Sequence, residues 1–199
     1  MLNKPRGVVT TASDEKGRET VYAYLDAGLP WLAPVGRLDK ASEGLLLMTN
    51  DSEWAARVLA PENHLDKTYR VQIGAIADAA LIASIAAGVR TGDGIFLRAK
   101  SAHILHGGEK NTWLEIVLDE GKNRHIRRML AQLGITVLRL LRVAIGTLRL
   151  GDLPKGDSRP LTDGEKQALD RAMQKKPAVR NHQQQAGVVK QARTSDRRH

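Results

Sequence analysis

The chain has 199 residues, a formal net charge of +9 and no cysteine. That length buries a substantial core in one domain or two small ones, and the missing thiols exclude a disulfide framework, a thiolate metal site and a cysteine nucleophile. No apolar run approaches membrane-spanning length and the amino terminus lacks the basic-then-apolar order of a secretory signal, so a soluble cytoplasmic protein without membrane association is expected.

Asn3 to Thr11 reads as a turn entering a short strand, and Arg18 to Leu25 as a short helix. Gly44 to Thr49 is a continuous apolar run, expected as a central strand buried on both faces. Asn50 or Asp51 then caps a helix carrying Trp54, Val58 and Leu59, which Pro61 stops. Lys67 to Ile73 alternates, so Tyr69, Val71 and Ile73 share one strand face. Asp78 caps an Ala-rich helix that ends at Gly88. Strands follow around Ile95–Leu105 and Thr112–Leu118, after a hairpin signal at Gly92-Asp93-Gly94. Asn123 is expected to cap a helix whose Ile126, Met129, Leu130 and Leu133 recur at helical spacing, with Gly134 ending it. Val137 to Leu150 reads as two strands about Gly146, and Asp163 to about Met173 as a last helix.

These elements predict an α/β (α+β) fold with a mixed, mostly antiparallel sheet flanked by helices. Residues 1–173 form the folded unit, divided into at most two subdomains. Residues 174–199 are a basic tail with too few large apolar side chains to offset its ordering entropy, and disorder is expected there. Charge follows the same division. Residues 166–199 hold nine Lys/Arg against Asp170 and Asp196, and Lys122 to Arg149 carries seven Lys/Arg and no acid. A basic tail and a basic patch on the fold both fit a polyanionic partner.

Asp39 alone reads as an ordinary turn or cap aspartate. Its surroundings add to that: Arg37 and Lys40 flank it, Ser42 and Gly44 shape a turn, and a wholly apolar strand follows. A carboxylate there is partly withdrawn from water and needs a cationic partner to remain ionised. Arg124, Arg127 and Arg128 occupy the first turns of the helix near Asn123 and cannot all lie on its solvent side; Arg127 borders the apolar stripe. Positive charge at a helix N-terminus opposes the macrodipole. The cluster therefore implies a compensating phosphate or carboxylate, or else a solvated basic face. Tyr69 is either a half-buried packing residue or a ring for a base to stack on, with Lys67 and Arg70 beside it. His64, His103, His106 and His125 show no metal-ligand spacing, and neither a phosphate-loop nor a serine-hydrolase motif occurs. Any chemistry would rest on one carboxylate, with no metal and no cofactor.

Taken in order, Asn3-Lys4-Pro5-Arg6-Gly7, Gly36-Arg37-Leu38-Asp39 followed by Ser42-Glu43-Gly44-Leu45-Leu46, Lys67-Thr68-Tyr69, and Gly121 to Met129 resemble the RsuA-type pseudouridine synthases. Leu140 to Gly146 and Leu161-Thr162 are similar to that branch as well. The resemblance implies a pseudouridine synthase fold with a central active-site cleft. It implies isomerisation of a specific uridine in ribosomal RNA, or in a ribosomal subunit precursor, without cofactor. Asp39 matches the family's catalytic aspartate, Tyr69 the tyrosine that stacks on the target base, and Arg127 the arginine that pairs with the carboxylate. Lys4 and Arg37 match positions near the RNA; Lys67, Lys122, Arg124, Arg128 and Arg142 are further expected RNA contacts. The small amino-terminal S4-like domain usual in this branch does not precede the first motif, which points toward large-subunit (23S) rRNA. His125 stands where Gln is common. A monomer is expected. A non-catalytic rRNA-binding or ribosome-assembly protein is the competing class, distinguished by indifference to loss of Asp39.

Overall fold

The apolar run after Gly44 becomes strand β3 (Glu43–Thr49), which lies inside the sheet with its first five residues buried. The structure, a computed structural model, describes residues 1–63 and 65–174. Its other strands are β1 (Leu2–Lys4), β2 (Ala33–Val35), β4 (Lys67–Ile73), β5 (Val89–Arg90), β6 (Phe96–Leu97), β7 (Ser101–Gly107), β8 (Thr112–Leu118), β9 (Val137–Ile145) and β10 (Leu148–Arg149). The helices are α1 (Ser52–Leu59), α2 (Ala79–Ala87), α3 (His125–Gln132) and α4 (Asp163–Gln174). His64 and nearly all of the expected basic tail lie outside the described residues.

Eight strands form one sheet in the order β1-β3-β9-β4-β8-β7, with β2 also beside β3 and β10 beside β9. Among the described residues every pairing between strands is antiparallel except β3 with β9. The sheet is thus mixed and mostly antiparallel, as the pattern predicts. Helix starts follow the sequence signals at α1 and α2: the Asp51 carboxylate accepts from the Trp54 amide, and that of Asp78 from the Leu81 amide.

Strand alternation gives the sheet two faces. On one, Val71, Ile73, Leu114, Ile116 and Leu140 pack under Ile85 of α2 and Ile126, Met129 and Leu130 of α3. Beside that cluster, Leu2, Val8, Val21, Leu38 and Leu46 form a smaller one. On the opposite face, Leu45, Leu47 and Ile145 pack under Trp54 and Val58 of α1 and Leu169 and Met173 of α4. The Trp54 indole N–H donates to Asp170 at 2.8 Å, joining α1 to α4. Each fully buried Leu or Ile contributes roughly 1.5–3 kcal/mol relative to exposure.

The parallel seam depends on one glycine. Gly44 has φ +102°, and a Cβ there would lie 2.3 Å from the Arg142 carbonyl oxygen and 2.7 Å from the Leu141 side chain. Backbone meets backbone at this point, where Glu43 and Gly44 register with Leu141 and Arg142.

Three expectations differ from the structure. The strand near the amino terminus, β1, precedes the turn at Arg6-Gly7, and only an isolated bridge at Val9 follows it. The stretch from Ile95 to Leu105 is two strands, β6 and β7. The buried Leu97 and Ala99 tie the connection down beneath α2, where the Ala99 amide bonds the Ile85 carbonyl at 3.2 Å. Arg18 to Leu25 holds only a 3-10 turn at Val21–Tyr24, because Thr20 gives no side-chain cap and is held in a bridge with Val9.

Candidate active site

Between β2 and β3 the chain passes through Gly36 to Ser42, and this loop carries Asp39. Its five consecutive carbonyls from Leu38 to Ser42 all accept hydrogen bonds. The Thr10 hydroxyl reaches that of Leu38 at 2.8 Å, and the Ser42 amide that of Asp39 at 2.9 Å. The Gly7 amide holds Lys40 at 2.7 Å, and Arg127 holds Ala41 at 2.9 Å. Lys4 supplies the rest from below: its ammonium donates to the carbonyls of Pro5, Asp39 and Ser42 at 2.9, 3.3 and 2.9 Å. Lys4 is completely buried. Burial pulls its pKa down to about 8, against the attraction of Glu43 and Asp39.

The Asp39 carboxylate stays reachable, its side chain one-third exposed. Oδ2 accepts from Nη1 of Arg124 at 3.3 Å, and among the described residues Oδ1 has no protein donor. Arg124 sits in the left-handed region at φ +48°, the one non-glycine residue with positive φ among those described. Such a conformation costs about 1–2 kcal/mol for an L-residue. Asn123 is therefore not the helix cap. Arg124 takes that place without a capping bond, and α3 starts at His125.

Arg127 does not pair with the carboxylate either. Its guanidinium bridges the carbonyls of Ala41 and Val137, at 2.9 and 3.3 Å, and so pins the Asp39 loop to the start of β9. Burial and then the charge of Arg124 lower its pKa, while Asp39 acts the other way. The arginine cluster finds the carboxylates its position against the helix dipole requires. Arg124 meets Asp39, Arg128 grips both oxygens of Asp93 at 2.6 and 2.7 Å, and Lys122 meets Glu120 at 2.9 Å.

Tyr69 is half-buried and packs against both clusters of its sheet face, including the one that holds Leu38 next to Asp39. The β4–β9 ladder slips between Thr68 and Tyr69, so that Tyr69 registers with Arg142. Such a bulge re-aims a side chain. Arg142 is buried, its Nε on the Leu45 carbonyl at 2.7 Å and one terminal nitrogen without a partner among the described residues. Half-buried Lys67 has its pKa lowered by burial and by the Arg142 charge.

Several expected RNA contacts are thus placed differently. Lys4 and Arg142 lie inside, because the loop and the β3 backbone use their donors. Arg128 is neutralised by Asp93. Arg37 is exposed beside Asp39, where a cavity of about 430 Å³ opens between it, Lys40, Thr10, Ser13 and Lys16. A further element escaped the sequence reading. Glu43 is buried and accepts a two-pronged contact from Arg139, both distances 3.1 Å, together with Lys155 at 2.9 Å. Burial raises its pKa, but the Arg139 and Lys155 bonds win and hold it below the ordinary value. A lone carboxylate opening an apolar strand was the available signal. His125 is also buried, with neither ring nitrogen hydrogen-bonded among the described residues, and burial lowers its pKa.

This arrangement can present a fixed carboxylate to an electrophilic carbon beside a ring and several cations. The family described as RNA pseudouridylate synthase matches residues 1–132. Among curated relatives, the ribosomal large subunit pseudouridine synthase B of Bacillus subtilis is 36% identical over 85% of this chain and 70% of its own length. The protein of the same name from Haemophilus influenzae is 38% identical over 78% of this chain and 44% of its own. A protein of Rickettsia typhi named as an uncharacterized RNA pseudouridine synthase is 39% identical over 80% of this chain and 65% of its own length. Of the solved structures, one pseudouridylate synthase superposes with a TM-score of 0.73 at 33% identity, covering 84% of this chain and 71% of that one. An archaeal box H/ACA complex, at TM-score 0.55 and 16% identity, shares the fold. The chain belongs to the RNA pseudouridylate synthase family.

Proposed function

We propose that this chain converts a specific uridine of large-subunit ribosomal RNA to pseudouridine, with Asp39 as nucleophile. The observation that carries the reading is the Asp39 loop, whose carbonyls from Leu38 to Ser42 are all held while, among the described residues, one carboxylate oxygen has no donor. Preorganisation of this kind places a reacting group without cost at the moment of reaction. The relatives named for the large ribosomal subunit support the substrate class.

In this mechanism the target nucleotide leaves the helical stack and its base lies against Tyr69. Asp39 Oδ1 attacks C1′ as the N1–C1′ bond breaks, giving a glycosyl ester and a uracil anion. The base rotates, C5 bonds to C1′ and the carboxylate departs. The C5 proton is then removed, with the Tyr69 oxygen as acceptor, and N1 takes up a proton. Arg124 balances the carboxylate before and after the covalent step, and Arg127 keeps the loop in register. Arg37 and Lys40, exposed beside the cavity, contact the neighbouring phosphates.

Carbodiimide labelling and primer extension on rRNA from cells with and without the protein test the reading. One modified position is expected to vanish, and to return with wild type but not with Asp39→Asn. A folded Asp39→Asn protein that restores the site would refute the role of Asp39. No rRNA difference at all would refute the substrate.

A further inference from the structure

Among the described residues, the sheet face opposite the Asp39 side is only half covered. Helices α1 and α4 lie over its β2, β3 and β10 end. Beyond them, β9, β4, β8 and β7 present a row in register: Arg139 beside Gln72, Gln72 beside Trp113, and Trp113 beside His106. A second row holds Leu141, Arg70, Glu115 and His103. Trp113 and Glu115 are half-buried, whereas Leu114 and Ile116, which point the other way, are fully buried. No described helix covers this end of the face.

Its side chains form a stack. The Arg139 guanidinium lies over the Trp113 ring at 5.6 Å, and the His106 ring stacks with that of Trp113 at 6.2 Å and 29°. Arg139 is held in place by the buried Glu43, so the guanidinium and the indole are ordered before any ligand arrives. His106, the outer member, is exposed. Lys155 shares Glu43 with Arg139, leaving that group of three charges with an excess cation. Arg70 is exposed and has no ion pair among the described residues. Protein-docking faces also use Trp and Arg, so charge decides between partners: Arg70, Arg139 and Lys155 outnumber Glu43 and Glu115 on this face. Ordered rings and guanidinium groups on a cationic antiparallel sheet are the means by which unpaired RNA bases are stacked and their phosphates held.

We infer that this face is a second RNA contact, which stacks an unpaired nucleotide of the same RNA on His106 and holds its phosphate with Arg70. The inference rests on the proposed action on RNA. It differs from the Asp39 site in position, because α2, α3 and the Asp39 loop occupy the other side of the sheet. It also differs in chemistry, because stacking tolerates any base.

The test uses the full chain and its His106→Ala, His106→Tyr and Arg70→Gln variants. Binding to single-stranded oligoadenylate of about 20 nucleotides is measured by anisotropy across a salt series, with rRNA modification kinetics alongside. His106→Ala is expected to weaken oligoadenylate binding about tenfold, and His106→Tyr to restore it. Arg70→Gln should flatten the salt slope by about one. On long rRNA, KM should rise in the weakened variants while kcat holds. Wild-type binding by both His106→Ala and Arg70→Gln would overturn the inference. So would a defect seen only on protein-containing ribosomal particles, which would assign the face to a protein. If wild type modifies no rRNA, the proposed function fails separately, and the oligoadenylate result still decides this surface.

Discussion

Replacing Lys4 by Met should separate stability from activity. Two large effects oppose each other at this residue. Burial lowers the ammonium pKa from 10.5 to about 8, which corresponds to about 3 kcal/mol of cost at neutral pH. Methionine of similar volume relieves that cost. It also strips the Ser42 carbonyl of its donor and leaves Asp39 with only the Ser42 amide, at about 1–3 kcal/mol for a buried group left unsatisfied. The net change in global stability should stay within about 2 kcal/mol, under roughly 8 °C in Tm for a chain of this size. Activity should not be spared, since a shift of about 1 Å in a reacting group costs on the order of a hundredfold. The pH dependence has a definite sign. Between about 8 and 10.5 the unfolded chain holds the Lys4 proton and the folded chain does not. Wild-type stability should therefore rise with pH relative to Lys4→Met, by up to about 3 kcal/mol, and the difference should be flat below pH 8. Urea unfolding from pH 7 to 10.5 and single-turnover pseudouridine formation measure both. A variant with wild-type kcat, or a stability difference that falls with pH, would refute the reasoning.

Gly44→Ala should lose at least about 3 kcal/mol, because positive φ strains the new residue and its Cβ meets the Arg142 backbone; thermal unfolding within 2–3 °C of wild type would contradict this. Arg127→Lys should reduce kcat more than Arg124→Lys. Arg127 reaches the Val137 and Ala41 carbonyls with two separate nitrogens of a planar fork, Nη1 and Nη2, which a single lysine nitrogen does not reproduce, whereas a lysine at 124 can keep the single contact to Asp39, and single-turnover rates showing the reverse order would reject the assignment. His125 is buried with its pKa lowered by burial, so on acidification the unfolded chain protonates first. Stability should fall as pH drops below about 6.5, and a His125→Leu variant with an equally steep acid limb in urea titrations would remove His125 as the cause.

Local signals in the sequence were sound where structure is local. The apolar run of β3, the alternation of β4 and the caps at Asp51 and Asp78 depend on neighbours a few residues away, and all stand in the structure. The meeting of Asp39 with an arginine of the α3 region was legible from charge placed against a helix dipole. Which arginine was not legible. A cap at Asn123 and a start at His125 differ by a single residue, yet the left-handed turn at Arg124 redirects that side chain to the carboxylate and leaves Arg127 to the loop backbone. No propensity anticipates a positive φ at arginine. Lys4 and Glu43 were opaque for a different reason. Their partners lie up to 112 residues away, and only the folded seam brings Lys155 to Glu43 or the Asp39 loop over Lys4.

The exceptions to ordinary folding preference collect at one place. A positive-φ glycine with no room for a methyl, a left-handed arginine, a buried lysine and a buried glutamate all border the parallel seam of β3 and β9 or the loop that enters it. Each is individually unfavourable, and the loop and Glu43 are held by side chains from different elements: Lys4 from β1 and Arg127 from α3 on the loop, Arg139 from β9 and Lys155 from beyond β10 on Glu43. A loop of ordinary turns would cost less but would let Asp39 wander. By distributing its carbonyls among separate elements, this fold makes the position of Asp39 a property of the whole sheet. Disturbance of any one anchor should then appear as lost turnover before it appears as unfolding, the ordering that the Lys4 and Arg127 variants are chosen to reveal.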